Sequence, residues 1–204
     1  SPSKVFSSID THGRYAYSAQ AVGIVWNMAQ LANALLPIVK NDEDVLNKFK
    51  NLVHEMPNQI RSLWLKKFGK KIGISKTKPS DYKLISNFLN GLASRNEDFT
   101  ISFRKLTEEP EYFKSVDPDW FKTWENRISG EPDPISIMAK ANPNLIPRNH
   151  QIELAITAAL NSDFDLFHRL NKALKSPYEK TLEYSDLEAI PTEEEEVLKT
   201  FCGT

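Results

Sequence analysis

The feature that most constrains the fold is one helix-length stretch, residues 19–39, in which apolar side chains occupy two faces rather than one. Val22, Val25, Trp26, Ala29, Ala32, Leu36 and Val39 recur at three- and four-residue steps, while Ile24, Met28, Leu31 and Leu35 fill a second face. A helix apolar on two faces is expected to be central, with the downstream segments built to cover it. Pro37 has no backbone donor and clashes with the preceding turn, so it is expected to kink or stop this helix.

The rest of the chain also reads as helical. Asn41 or Asp42 can cap a helix carrying Val45, Leu46, Phe49, Leu52, Val53 and Met56, which Pro57 is expected to stop. Asn58 can then open a helix with Ile60, Leu63, Trp64 and Phe68, ending at Gly69 or Gly73. Pro79-Ser80-Asp81 starts another, striped by Leu84, Ile85, Phe88, Leu89 and Leu92. Over residues 99–106 a two-residue alternation of Phe99, Ile101 and Phe103 competes with helix, and helix is favoured. Asp117-Pro118 is a cap followed by proline at the first helical position, leading Trp120, Phe121, Trp124 and Ile128. Residues 130–134 form the clearest break and precede a short helical turn at 135–140. Asn149 is placed to cap a helix lined by Ile152, Ala155, Ile156 and Ala159, and Ser162 with Asp165 to cap the next, striped by Phe164, Phe167, Leu170 and Leu174. These two predict an αα-hairpin. The fold class expected is therefore all-α, divided into an irregular region at 1–18, a helical body at 19–176 and a polar, acidic tail at 177–204.

At 204 residues the chain is long enough for one domain burying about 70% of its unfolded surface. With 26 Lys plus Arg against 27 Asp plus Glu there is no global field to draw it to nucleic acid or an anionic membrane, so neither is expected as a partner. No apolar run reaches the roughly 18 residues of a membrane span, and the polar start does not read as a signal peptide. One cysteine, Cys202, rules out an intrachain disulfide and is ordinary for a reducing compartment. The expectation is a soluble, cytoplasmic protein.

Several clusters could carry chemistry, and each has a plain structural reading beside it. Asp10, His12, Arg14 and Tyr15 place an acid, an imidazole, a guanidinium and a phenol within six residues, enough for proton transfer or anion binding; alternatively Arg14 pairs with a carboxylate inside a structured loop. Lys66, Lys67, Lys70, Lys71, Lys76 and Lys78 could grip phosphates, or sit at a helix C-terminus where the dipole favours cations. His54, His150 and His168 are scattered, and His150 with Glu153 is not the paired-histidine spacing of a zinc helix, so no metal site is expected. Trp120, Phe121 and Trp124 are spaced as core rather than as a stacking platform. Neither a G-x-G-x-x-G nor a G-x-x-x-x-G-K-[ST] run occurs, and no H-R-D or D-F-G, so no catalytic, cofactor-binding or metal-binding residue is assigned.

The run Ser8-Ile9-Asp10-Thr11-His12-Gly13-Arg14-Tyr15-Ala16-Tyr17, followed by Gln20 and by Trp26-Asn27-Met28-Ala29-Gln30-Leu31-Ala32, resembles the selenoprotein O (SelO) family. That family reads roughly S-D-x-x-G-R-Y-x-Y-x-x-Q-P and then W-N-L-x-R-L-A, so Asp10, Gly13, Arg14, Tyr15, Gln20, Trp26 and Asn27 are the matching motif positions. Ala21 departs from it where proline is usual. Further patches match in order at Asn142-Pro143, Arg148-Asn149-His150 and Pro177-Tyr178, and at Phe201-Cys202-Gly203-Thr204.

The resemblance implies a protein-kinase-like fold, a pseudokinase that transfers AMP from ATP to protein hydroxyls with magnesium or manganese. It further implies that this chain corresponds to the C-terminal lobe. The family's Lys-Glu pair, catalytic Asp and magnesium-binding Asn and Asp all precede the matched run, so the chain alone is expected to be inert. The missing N-terminal lobe and unidentified protein substrates are then the partners. Residues 3–19 would be the activation-segment equivalent. Cys202 takes the family's C-terminal redox position, but Phe6 stands where bacterial relatives carry the second cysteine. A eukaryotic parent would be mitochondrial. The alternative is a standalone helical interaction module without enzymatic activity.

Overall fold

In the computed structural model, which describes residues 2–40 and 42–200, the chain is all-helical, with no strand among the described residues. Nine α-helices run among those residues: α1 Gln20–Leu35, α2 Glu43–Lys71, α3 Asp81–Ser94, α4 Phe99–Glu108, α5 Glu111–Val116, α6 Pro118–Ile128, α7 Pro134–Ala141, α8 Asn149–Leu160 and α9 Asp165–Ala173. Short 3-10 turns occupy Tyr17–Ala19 and Leu182–Glu188. The chain divides into two compact units, residues 1–64 with 199–204, and residues 65–198, the division falling within α2.

In the first unit α1 stops at Leu35, two residues before Pro37, and the chain continues as turns to Lys40. The Asp42 carboxylate then accepts the Asp44 and Val45 backbone N–H groups at 2.9 and 3.2 Å, capping α2 as its sequence predicts. Two expectations are corrected. Pro57 does not end the helix; α2 runs through it for 29 residues. The proline removes one donor, a cost of about 3 kcal/mol. Yet the least exposed positions Leu46, Phe49, Val53, Met56 and Ile60 keep one unbroken stripe across it. The second correction concerns α1, which is not buried on two faces: Gly23 is its one buried residue among those described, and Val25, Ala29 and Ala32 are half-buried.

The second unit holds a dense aromatic core. Phe88 lies 5.1 Å from Phe103, 5.1 Å from Phe113 and 4.6 Å from Trp120, between ring centroids, and Trp120 stacks on Trp124 at 5.8 Å. Both indole N–H groups are satisfied inside: Trp120 Nε1 donates to the Leu84 carbonyl and Trp124 Nε1 to that of Ile72, at 2.9 and 2.8 Å. These tryptophans are core, as their helical spacing indicated. The end of α2 is a Schellman turn, with Ile74 N donating to Gly69 O at 2.8 Å and Gly73 N to Lys70 O at 3.1 Å. Gly73 supplies the positive φ of 87° that this turn needs, and the flanking Ile72 and Ile74 are fully buried.

Asn142 is buried in the same unit and ties three segments together. Its Nδ2 donates to the Lys71 carbonyl at 2.9 Å and to Thr107 Oγ1 at 3.1 Å, while its Oδ1 accepts from Lys71 Nζ at 3.3 Å. Lys71 also donates to the Ala141 carbonyl at 3.0 Å, and burial lowers its pKa. The α8–α9 hairpin forms, but its caps differ from those expected. Asn149 is already helical, and the residue before it, Arg148, has no capping hydrogen bond. Ser162 has a φ of +63°, and the Asp163 carboxylate accepts the Asp165 N–H at 3.0 Å instead. Ile156, Phe164 and Phe167 are exposed rather than lining the hairpin. Beyond α9, Leu187 packs with Leu145 and Ala173, so part of the polar tail is anchored by an apolar contact.

Candidate functional site: the Asp10 loop on α1

The family-motif residues converge in the first unit. After Asp10 the chain must reverse tightly, and Gly13 allows it with a φ of +65°. The Asp10 carboxylate closes the turn: Oδ1 accepts the Arg14 N–H and Oδ2 the Tyr15 N–H, each at 2.8 Å. Both oxygens are thereby engaged by backbone, so Asp10 acts as an anchor for the loop and not as a free base. Ala16, buried beneath the turn, donates to the Gly13 carbonyl at 3.1 Å.

Two contacts then seat the loop on α1. The Tyr15 ring lies against Gly23, where an added Cβ would come within 3.3 Å of Tyr15 Cδ1. The Arg14 guanidinium lies over the Trp26 ring at 4.2 Å from its centroid and 5.5 Å from that of Tyr15, a cation–π arrangement worth about 0.5–1 kcal/mol at an exposed site. Sequence reasoning singled out Asp10, Gly13, Arg14, Tyr15 and Trp26, and the structure brings those five together. It missed Gly23, although a glycine inside an apolar helix pattern is a recognised signal for close approach. Gln20 opens α1 and Asn27 is exposed one residue past Trp26; His12 is exposed on the loop. Cys202 lies outside the described residues.

The start of the chain is held to the end of this loop by backbone bonds, Tyr17 N to Lys4 O at 2.9 Å and Ser18 N to Pro2 O at 3.0 Å. Thr200 returns to the same place: Ser8 N donates to its carbonyl at 2.7 Å, and its Oγ1 donates to the Phe6 carbonyl at 2.9 Å. The result is a pinned loop that presents Arg14, Tyr15 and Trp26 at its surface.

Two carboxylates of the second unit with lowered pKa values, Asp81 and Asp98, are structural. Asp81, buried, receives Arg127 Nε at 2.8 Å, Arg127 Nη2 at 3.0 Å and the Lys78 N–H at 2.7 Å. Burial would raise its pKa, but the hydrogen bonds from Arg127 and Lys78 outweigh it and hold the carboxyl below its ordinary value. Asp98 follows the same rule. Burial is overcome by Arg148, whose Nη1 and Nη2 reach its two oxygens at 3.0 and 3.2 Å, and by the Ile101 N–H at 2.9 Å. Lys66, Lys67, Lys70, Lys76 and Lys78 are exposed, whereas Lys71 turns inward. His54 and His168 are exposed and His150 is buried. Among the described residues no group of three or more His, Cys, Asp or Glu is placed to hold a metal ion, and no helix is long and apolar enough to cross a membrane.

Comparison with known proteins agrees with the motif. Residues 2–175 match the family model described as protein adenylyltransferase SelO. Proteins named protein nucleotidyltransferase YdiU are similar along the entire chain: 43% identical over 207 residues in Ruegeria sp. (strain TM1040), 42% in Ruegeria pomeroyi, and 34% over 220 residues in Bradyrhizobium diazoefficiens. All of this chain is covered in each, but only 44–45% of the relative, so the chain spans less than half the length of the curated relatives it matches. The chain belongs to the SelO protein adenylyltransferase family.

Proposed function

We propose that these 204 residues form the helical C-terminal lobe of a protein-kinase-like, pseudokinase-type SelO enzyme that transfers AMP from ATP to Ser, Thr or Tyr hydroxyls of other proteins. The observation that carries this reading is the match over residues 2–175 at under half the length of the relatives. In such a transfer the substrate oxygen bonds to the α-phosphorus, the bond to the bridging oxygen breaks, and pyrophosphate leaves. Catalysis of that kind rests on positioning and on charge held by metal ions. ATP and magnesium or manganese are assigned to the longer polypeptide, and the present chain is inert alone. Within this reading residues 3–19 are the activation-segment equivalent beside the protein substrate. The pinning of Arg14 and Tyr15 onto α1 supports a positioning role. The setting is the cytoplasm, or the mitochondrion for a eukaryotic parent, and Cys202 is a redox thiol with no second cysteine among these 204 residues.

The test is incubation with labelled ATP and magnesium or manganese. The longer polypeptide is expected to label protein hydroxyls and the 204-residue chain to label none. Transfer by the short chain overturns its inertness, and no transfer by the long one overturns the activity. One observation favours a standalone interaction module: residues 65–198 possess an aromatic core of their own. That module would bind a partner protein without labelling it in either length.

A further inference from the structure

We infer that Arg14 is a specificity-determining residue, its guanidinium taking an Asp or Glu carboxylate that lies close in sequence to the accepting hydroxyl of the protein substrate. The inference rests on the reading above, that residues 3–19 lie beside that substrate. Across residues 1–40 Asp10 is the single acid, against Lys4, Arg14 and Lys40. Both oxygens of Asp10 are engaged by the backbone N–H groups of Arg14 and Tyr15. The carboxylate pairing that the sequence leaves open to Arg14 is not made, and among the described residues its guanidinium contacts only rings. A lone surface arginine normally samples many rotamers, but this one is held at both ends. Its own N–H is tied to Asp10, and its guanidinium lies 4.2 Å from the centroid of Trp26. The N–H groups of a guanidinium lie in its plane, so contact with a ring face leaves them open to an acceptor.

Two anions have to be weighed. A phosphate group is best held by several converging donors, commonly the backbone N–H groups of a turn. Here the two N–H groups of that kind, those of Arg14 and Tyr15, are already taken by Asp10. A carboxylate needs only two parallel donors, and one guanidinium edge supplies them. Nothing on α1 repels or competes for that carboxylate, because no Asp, Glu, Lys or Arg occurs from residue 15 to residue 39. Lys4 and His12, exposed on the same segment, add no negative charge. Tyr15 and Trp26, 44 and 48% exposed, offer ring surface to the chain on either side of the acid. Holding the cation in place beforehand removes part of the ordering cost of binding.

The experiment is fluorescence-anisotropy binding of two labelled peptides to the full-length polypeptide, the acidic EEGSYTGEE and its neutral counterpart QQGSYTGQQ. The acidic peptide is expected to bind about tenfold more tightly at low salt. Arg14→Gln should abolish that preference, and Arg14→Lys, a point charge without the fork, should keep about threefold of it. Amide exchange at Tyr15, unchanged in both variants, shows that the loop stays in place. Equal affinity of the two peptides for the unmodified protein overturns the inference, as does a preference that survives Arg14→Gln. Displacement of the acidic peptide by millimolar phosphate, but not by chloride at equal ionic strength, overturns the assignment to a carboxylate. AMP transfer to the same peptides is scored separately, with KM expected to be about tenfold higher for the neutral one and kcat alike. Transfer with equal KM values refutes the selection alone, and selective binding without transfer refutes the activity alone.

Discussion

Asp10 gives the clearest quantitative test of the candidate site. Its two carboxylate oxygens each accept one backbone N–H, from Arg14 and Tyr15, both at 2.8 Å. The site is partly exposed, so water can replace each bond, and the appropriate scale is that of a side-chain cap, about 1 kcal/mol per bond. Asp10→Ala removes both and should raise the opening equilibrium of the loop by about 2 kcal/mol, or roughly thirtyfold at 1.4 kcal/mol per decade. Asp10→Asn keeps one acceptor and turns an amide N–H toward the other donor, so its effect should be smaller, about five- to tenfold. The assay is amide hydrogen exchange at Arg14 and Tyr15, with the buried segment around Phe103 as reference. If exchange at both amides changes less than about twofold in Asp10→Ala, the carboxylate does not hold the loop and the anchoring argument fails.

Three further outcomes follow from the second unit. Gly73→Ala places a side chain at a φ of +87° and sets its Cβ 2.9 Å from Pro134 Cβ and 3.3 Å from the Pro134 carbonyl. Since neither neighbour can rotate away, urea unfolding should show a loss of about 2–4 kcal/mol. Asn142→Ala leaves the Lys71 carbonyl and Thr107 hydroxyl without their buried donor; about 3 kcal/mol is expected, and a loss below about 1 kcal/mol would remove Asn142 as a tie. Asp81 and Asp98 have lowered pKa values in the fold. Their contribution is therefore complete above the ordinary aspartate value of 3.8 and is lost as pH falls through the folded-state values. Urea midpoints should be level from pH 7 to about 5 and decline below about 4, and Asp81→Asn should flatten that decline.

Most helices were legible because their signals are local: Asp117 caps α6 with the expected carboxylate bond, and Asp98 and Asp133, not singled out in the sequence, cap α4 and α7 in the same way. The misreadings share a cause, a local rule outweighed by a longer-range one. Pro57 signals a stop, but the stripe from Leu46 to Ile60 holds phase across it, and one lost hydrogen bond does not break a helix that long. Ser162 signals a cap, but the tight end of α8 turns it to positive φ and leaves the role to Asp163. The two apolar faces of α1 were evident in the sequence, yet their covering was not, because periodicity reports that a face is apolar and not which segment meets it. In the site, residue identities marked Asp10, Arg14, Tyr15 and Trp26, while the division of labour, anchor against presented cation, needed the two 2.8 Å bonds. Asn142 was visible as part of an Asn-Pro turn, and its buried contacts with Lys71 and Thr107 join positions too far apart in sequence for any local pattern to announce.

The central claim is that these residues work as one lobe of a longer enzyme, and the most direct measurement is the intact mass of the polypeptide bearing this sequence in its source cells. This chain's 23.3 kDa divided by its 44% share of the relatives is about 53 kDa, and a species near that mass containing this sequence is the expected result. A native species of 23.3 kDa would contradict the claim and leave a helical binding module in its place.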